Sequence, residues 1–165
     1  MVFLIKRNNH FSNQNLHKIL NCLNFEKGIS YSVRFDDSCV YQLQEGEQDD
    51  INKLFGYSLG FDHHQNSARF GWFYKEGKIH LFSYVYDLGE RKYDFLCKIE
   101  LNKSYSLSIF AFRDYWEFDV CSSERINSIF QVRRKSRFRV GYKLWPYFGG
   151  NNPAPHDIKI EMNRI

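Results

Sequence analysis

Between Ser12 and Asn24 the apolar residues Leu16, Ile19, Leu20 and Leu23 recur at helical spacing, with Ser12 or Asn13 placed as the cap. This predicts one short N-terminal helix following a first strand. From Gly28 onward the pattern changes to short β-rich runs: Ile29–Phe35, Cys39–Leu43, Ala68–Tyr74, Lys78–Tyr86, Tyr93–Leu101, Tyr105–Phe112, Tyr115–Cys121, Ile129–Arg133, Val140–Phe148 and Ile158–Met162. Turn signals at Glu76-Gly77, Asp87-Leu88-Gly89, Asn102-Lys103 and Arg113-Asp114 separate several of them. Such spacing is that of antiparallel strands in a sandwich or barrel. The chain shows no internal repeat and no low-complexity linker. One all-β domain over 1–165 is expected, with the N-terminal strand and helix in 1–27 and an antiparallel β-sandwich in 28–165.

The alternation inside two runs carries more than their existence. In Ser67 to Tyr74 a period of two puts Ala68, Phe70, Trp72 and Tyr74 on one face and Ser67, Arg69 and Gly71 on the other. In Lys78 to Tyr86 it puts Ile79, Leu81 and Val85 on one side and His80, Tyr84 and Tyr86 on the other. If Glu76-Gly77 closes a hairpin, Ser67 and Arg69 lie across from Tyr84 and Tyr86. The expected result is a groove floor, with Gly71 leaving room above it.

Composition supports sheet over helix: Phe, Tyr and Trp make up 18% of the 165 residues and proline numbers only three. The surplus of Lys and Arg over Asp and Glu is four, which suits an acidic polymer but falls short of a dedicated nucleic-acid binder. The basic run Arg133 to Arg139 reads as a solvated hairpin end, so nucleic acid is not an expected partner. Cys22, Cys39, Cys97 and Cys121 stand singly, and His63, His64, His80 and His156 lack compact spacing, so neither metal nor other cofactor is expected. Met1 to Ile5 is too short for a signal-peptide core and is followed by its charges. No apolar run approaches the ~20 residues that span a bilayer, so membrane insertion is not expected. Oligomeric state and location stay undetermined at this stage.

Three segments carry a resemblance. They are Asp50-Ile51-Asn52-Lys53-Leu54-Phe55-Gly56, then Ser67-Ala68-Arg69-Phe70-Gly71-Trp72 with Tyr84-Val85-Tyr86, and finally Pro146-Tyr147-Phe148-Gly149-Gly150-Asn151-Asn152-Pro153-Ala154-Pro155. In order and character they resemble the alginate and glucuronate lyases of polysaccharide lyase family fourteen and their concanavalin-like jelly-roll relatives. The resemblance covers about Asp50 to Met162. It implies a concanavalin-like jelly roll and a candidate catalytic set of Lys53, Ser67, Arg69, Tyr84 and Tyr86. Asn52 and Phe55 depart from the Asp and Pro of the family pattern around the lysine, and the chain is short for the loops that wall a groove.

Those five side chains suit β-elimination from a uronic-acid polymer. The C5 proton beside a carboxylate is barely acidic, so a site must neutralise the carboxylate, remove the proton and protonate the leaving oxygen. Arg69 can fork onto the carboxylate. Lys53 adds charge and, with Arg69, is expected to lower a tyrosine from its usual ~10, letting Tyr84 or Tyr86 act as base and the other as acid. Ser67 would orient an oxygen. His64 and His80 are candidates for a sugar subsite, as are Trp145 and Tyr147, by stacking. The candidate face holds no pair of carboxyls for a glycosidase, and no G-x-S-x-G elbow is present. Expected, then, is binding and eliminative cleavage of an acidic, uronic-acid polysaccharide. The alternative is a non-catalytic glycan-recognition module or a structural or attachment protein, such as one on a virion, in which the tyrosines are ordinary sheet residues and Arg69 a structural pair partner.

Overall fold

Every second residue from Ile29 to Phe35 is buried, and the same rhythm runs through Tyr105 to Ile109 and Trp116 to Val120. Three strands that each hide one face must share a sheet and meet a second layer. The computed structural model describes residues 1–13, 28–44, 46–122, 128–136 and 141–165. Its strands are β1 (Val2–Ile5), β2 (Gly28–Phe35), β3 (Asn52–Leu59), β4 (Asn66–Lys75), β5 (Lys78–Asp87), β6 (Glu90–Ile99), β7 (Ser104–Ala111), β8 (Tyr115–Ser122), β9 (Ser128–Arg133), β10 (Gly141–Leu144) and β11 (Ile158–Arg164). They form two antiparallel sheets, in the orders β1-β11-β2-β7-β8-β9 and β10-β3-β4-β5-β6, packed as a sandwich. The helix expected over 12–24 falls, from residue 14 on, outside the described residues. Ser12, expected at its cap, is bridged to Ile5.

Aromatic rings fill the space between the sheets. Tyr31 meets Phe55 at 4.8 Å, Phe35 meets Trp72 at 5.1 Å and Phe118 meets Phe70 at 5.2 Å. Burying each such side chain contributes roughly 1.5–3 kcal/mol, and edge-to-face pairs add a little more. Trp72, Phe70 and Ala68 are fully buried, as the alternation required of them.

The hairpins follow their turn residues. Lys75 pairs with Lys78, and Glu76 and Gly77 between them both have positive φ (52° and 77°), the two-residue turn whose twist matches that of paired strands. Leu88 and Gly89 repeat the device between Asp87 and Glu90, with φ of 54° and 83°.

Three segments differ from the sequence expectation. Asp37–Cys39 forms one short 3-10 turn, and residues 40–44 belong to no strand. The Gln48 side chain takes the place of a neighbouring strand: its carbonyl accepts from Leu43 N–H at 2.7 Å and its amide donates to Tyr41 and Tyr74 carbonyls. The run ending at Phe148 leaves the sheet after Leu144, and Tyr147 instead makes single bridges to Phe11 and Lys53. β3 was not legible as a strand, because a β-bulge between Lys53 and Gly56 turns both Leu54 and Phe55 into the core and breaks the alternation.

Arg134 to Ser136, the described part of the basic run after β9, is tied down. Buried Asp87 at the end of β5 accepts from the backbone N–H of Lys135 at 2.8 Å and of Ser136 at 2.9 Å. Arg134 is itself buried, its guanidinium 5.0 Å from the Trp116 ring. Asp87→Ala leaves two backbone donors without an acceptor and is expected to cost about 2–3 kcal/mol in urea unfolding, while Asp87→Asn, which keeps an acceptor oxygen, costs less. Equal stability of the Asp87→Ala variant and the wild-type protein would show the clamp to be idle.

Candidate functional site

The outward face of the five-stranded sheet is a lattice fixed by register. β4 and β5 pair Ser67 with Tyr86, Arg69 with Tyr84 and Gly71 with Phe82. β3 adds Ser58 beside Ser67 and, across the bulge, Lys53 beside Gly71. β6 adds Arg91 beside Tyr86 and Tyr93 beside Tyr84. Cross-strand partners share a face, so the polar side chains of four strands converge. The bulge is what lets Lys53 point outward while Leu54 and Phe55 are both buried.

A groove of about 590 Å³ opens on this face, and Lys53, Ser67, Arg69, Tyr84 and Tyr86 all line it. β10 and the segment after it supply Tyr142, Trp145 and Tyr147, while Arg91 enters from the opposite edge. That segment is held by a reciprocal bridge between the Lys53 and Tyr147 backbones at 2.8 and 2.9 Å. It is held again by buried Asn52, which accepts from Gly149 N–H at 2.7 Å and donates to the Tyr41 hydroxyl at 2.8 Å. An amide serves both partners at once. A carboxylate could not donate to the hydroxyl, which gives asparagine a structural reason to stand at this position.

The charges are unusual for their burial. Arg69 is 8% exposed; one Nη donates to the Trp145 carbonyl at 2.6 Å, and Nε, itself buried, has no partner among the described residues. Burial lowers its pKa to about 10, opposed by Tyr84, Tyr147 and Tyr142. Lys53, half-buried, donates to the Ile51 carbonyl at 2.6 Å and sits 4.7 Å from the centre of the Tyr84 ring. Burial first, then Arg69 and Arg91, bring its pKa down to about 8, and Asp50 pulls the other way. Neither cation makes an ion pair among the described residues, and no Asp or Glu lines the groove. Charged groups so placed normally have carboxylate partners.

Tyr84 departs from expectation. Its pKa is raised to about 12, because burial outweighs the cations; hydrogen bonding to Tyr86 adds to the rise and Arg91 opposes it. Tyr84 is 6% exposed, and a phenolate there would lose more solvation than its neighbours restore. Ser67 is also committed, since its hydroxyl donates to the His63 carbonyl at 2.7 Å and braces the loop between β3 and β4. That loop brings His64 to the groove, edge-on to Tyr86 at 5.3 Å. Tyr147 lines the groove too, stacked on His10. Trp145 lines it, but its ring stacks on Phe3 at 5.3 Å and packs edge-on to Tyr31, both in the core, so the groove receives its carbonyl rather than a stacking platform.

His80 lies outside the groove, stacked on Phe73 at 4.9 Å and beside Phe95. Nor is there room above Gly71: a Cβ there would come within 2.5 Å of Ile51, which already covers it. Arg91 was missed, although the hairpin signal held it: pairing Asp87 with Glu90 across Leu88-Gly89 puts Arg91 directly opposite Tyr86. Tyr142 and Phe11 reach the groove from segments whose course depends on tertiary packing, with no local signal. Among the described residues no three or more His, Cys, Asp or Glu side chains gather as a metal site, and no helix is long and apolar enough to cross a membrane.

No protein-family model matches this chain, and no curated protein sequence does. Solved structures do match. An alginate lyase, AlyC3, superposes with a TM-score of 0.63 at 16% identity over 98% of this chain and 72% of its own. The alginate lyase of Klebsiella pneumoniae gives 0.60 at 10% identity over 84% of this chain. The fold resembles that of alginate lyases. The chain spans 58% of the length of the Klebsiella enzyme. A Saccharomyces cerevisiae protein described as functionally unknown is similar as well, with a TM-score of 0.50 at 11% identity over 84% of this chain and 69% of its own. At such identities the sandwich is what is shared, and a sandwich hosts many functions.

A buried cation with no counter-charge is a burden on folding. Arg69→Met, of similar length, is therefore expected to leave the urea midpoint unchanged or to raise stability by about 1 kcal/mol, even though the bond to the Trp145 carbonyl is lost. A loss of roughly 3–5 kcal/mol would instead mark Arg69 as a structural pair partner.

Proposed function

We propose that this chain binds an anionic, uronic-acid polysaccharide in the groove and cleaves it by β-elimination. The observation that supports this most directly is a groove lined, among the described residues, by Lys53, Arg69 and Arg91 and by no acidic side chain. In this reading the Arg69 guanidinium, which lines the groove, receives the sugar carboxylate and Lys53 adds charge beside it, which stabilises the negative charge that develops when C5 loses its proton. Tyr84 keeps its proton at neutral pH, so it takes the part of general acid, and Tyr86, entering the step as its phenolate and leaving it as the phenol, removes the C5 proton. The electron pair of the C5–H bond forms the C4–C5 double bond, the C4–O bond breaks, and the Tyr84 proton passes to the leaving oxygen. Ser67 holds the loop carrying His64 in place. Two structural neighbours are alginate lyases, which fits this chemistry.

A second reading, recognition without cleavage, draws on the same buried Tyr84 and on the committed Ser67 hydroxyl. The two part on the product. Incubation with a panel of uronans, including alginate, a glucuronan and polymers that mix uronic acids with neutral sugars, is expected to generate unsaturated ends that absorb ultraviolet light. Tyr84→Phe is expected to abolish that product while polymer binding changes by less than about threefold. Binding with no unsaturated product from any polymer would leave recognition alone, and binding of none would remove both readings.

The lowered pKa of Lys53 sets a pH dependence. The ammonium is charged below about 8 and neutral above it, and a bound carboxylate favours the charged form. Affinity for the polymer is therefore expected to fall as pH rises through about 8, with proton uptake on binding near that pH in calorimetry. Lys53→Arg, which stays charged, is expected to flatten the profile. An unchanged slope in that variant would show that Lys53 does not meet the anion.

A further inference from the structure

The groove continues past Lys53. A smaller hollow of about 160 Å³ adjoins it and shares Lys53, Tyr84, Arg91 and Gly150 with it. The two differ in charge. Three cations and no carboxylate line the large one, whereas in the small one Lys53 and Arg91 are met by Asp49 and Asp50, a formal sum of zero.

The two carboxylates are not equivalent. Both oxygens of Asp49 lie 2.9 Å from the Lys75 ammonium, so its charge is answered from outside the hollow. Asp50 makes no side-chain hydrogen bond or ion pair among the described residues, and its charge is felt at Lys53. Its position is set by Gly150, which has φ of 75° and lies so close that a Cβ would come within 2.0 Å of an Asp50 oxygen. Across the hollow stands the Tyr93 ring, 53% exposed, with the Arg91 guanidinium 6.0 Å from its centre. An outward aromatic face beside a carboxylate without a partner is what an uncharged pyranose needs, since its apolar face can stack while its hydroxyls donate. A second sugar carboxylate in this place would face Asp50 and compete with it for the cations that serve the large chamber.

We propose that the small hollow is a subsite for an uncharged sugar, and that the polymer bound by this chain carries a neutral residue next to its uronic acid. The inference rests on the reading of the large chamber as a uronate site, and narrows it: mixed polymers of acidic and neutral sugars are preferred over homopolyuronates.

The test compares two oligosaccharides of equal length by calorimetry at low salt. One is a homopolymeric oligouronate, and the other alternates a uronic acid with an uncharged hexose or N-acetylhexosamine. Wild type is expected to bind the alternating oligomer about tenfold more tightly or better, a difference of ~1.4 kcal/mol. Asp50→Asn is expected to bring the two within about threefold by strengthening the homopolymer, and Tyr93→Ala to weaken the alternating oligomer more than the homopolymer. Equal or tighter binding of the homopolymer by wild type overturns the inference. So does a preference that Asp50→Asn leaves unchanged. In either case the uronate reading survives provided that Arg69→Met abolishes binding of both oligomers. Failure of wild type to bind either oligomer removes the uronate reading and this inference together.

Discussion

A guanidinium taken out of water without a carboxylate to meet it is the constraint around which this sheet is arranged. Arg69 sits midway along β4 with its neighbours on β3 and β5 fixed by backbone pairing, so it cannot swing to the protein edge without breaking register. Its one hydrogen bond in the described structure goes to the Trp145 carbonyl, which makes the segment after β10 part of the arginine's solvation. That segment must therefore be held still, and the bridges from Lys53 and Asn52 hold it. Arginine and wall are thus tied together: Arg69 donates to the Trp145 carbonyl, and the bridges from Lys53 and Asn52 keep that segment in place.

The same low-dielectric setting pushes two groups beside the arginine, Lys53 and Tyr84, toward neutrality. Lys53 comes down to about 8 and Tyr84 goes up to about 12, in both cases chiefly through burial. Opposite directions have one cause, because desolvation penalises whichever form is charged. The expectation that two cations would make an acidic tyrosine failed because it weighed Coulomb attraction and left out the phenolate's lost hydration. A phenol so placed keeps its proton at neutral pH.

The sandwich and much of the site were legible because strands repeat with period two and hairpins fix register. Ser67 and Arg69 stand opposite Tyr86 and Tyr84, where alternation and one turn placed them, and Arg91 was one counted pair further on. Legibility failed wherever the chain left that arithmetic. The bulge at Leu54-Phe55 hid β3, the Gln48 side chain replaced a strand beside Tyr41, and Ile51 closed the space expected above Gly71. Trp145 shows the limit most plainly. Its indole suggested a stacking platform, yet the core at Phe3 takes the ring and the groove takes a backbone oxygen, a division that no side-chain identity announces.

Register also explains how a sandwich can be shared at 10–16% identity with alginate lyases while its chemistry stays open. Strand pairing uses backbone groups, so the lattice of outward positions survives nearly complete replacement of side chains. Occupancy of that lattice is a separate matter, and here it is uneven. Cations and phenols fill the rows of Arg69 and Ser67, whereas Phe82 and Phe95 in the row of Gly71 and Phe73 and His80 in the next form a packed aromatic cluster. Ile51, covering Gly71, marks the border between them, and its neighbour Asp50 faces the polar side. The connection between Tyr41 and β3 thus does two jobs. It closes one half of the sheet face with apolar contact and gives the open half its single carboxylate with no partner among the described residues. The chemical character of the groove is set as much by this connection as by the strands beneath it.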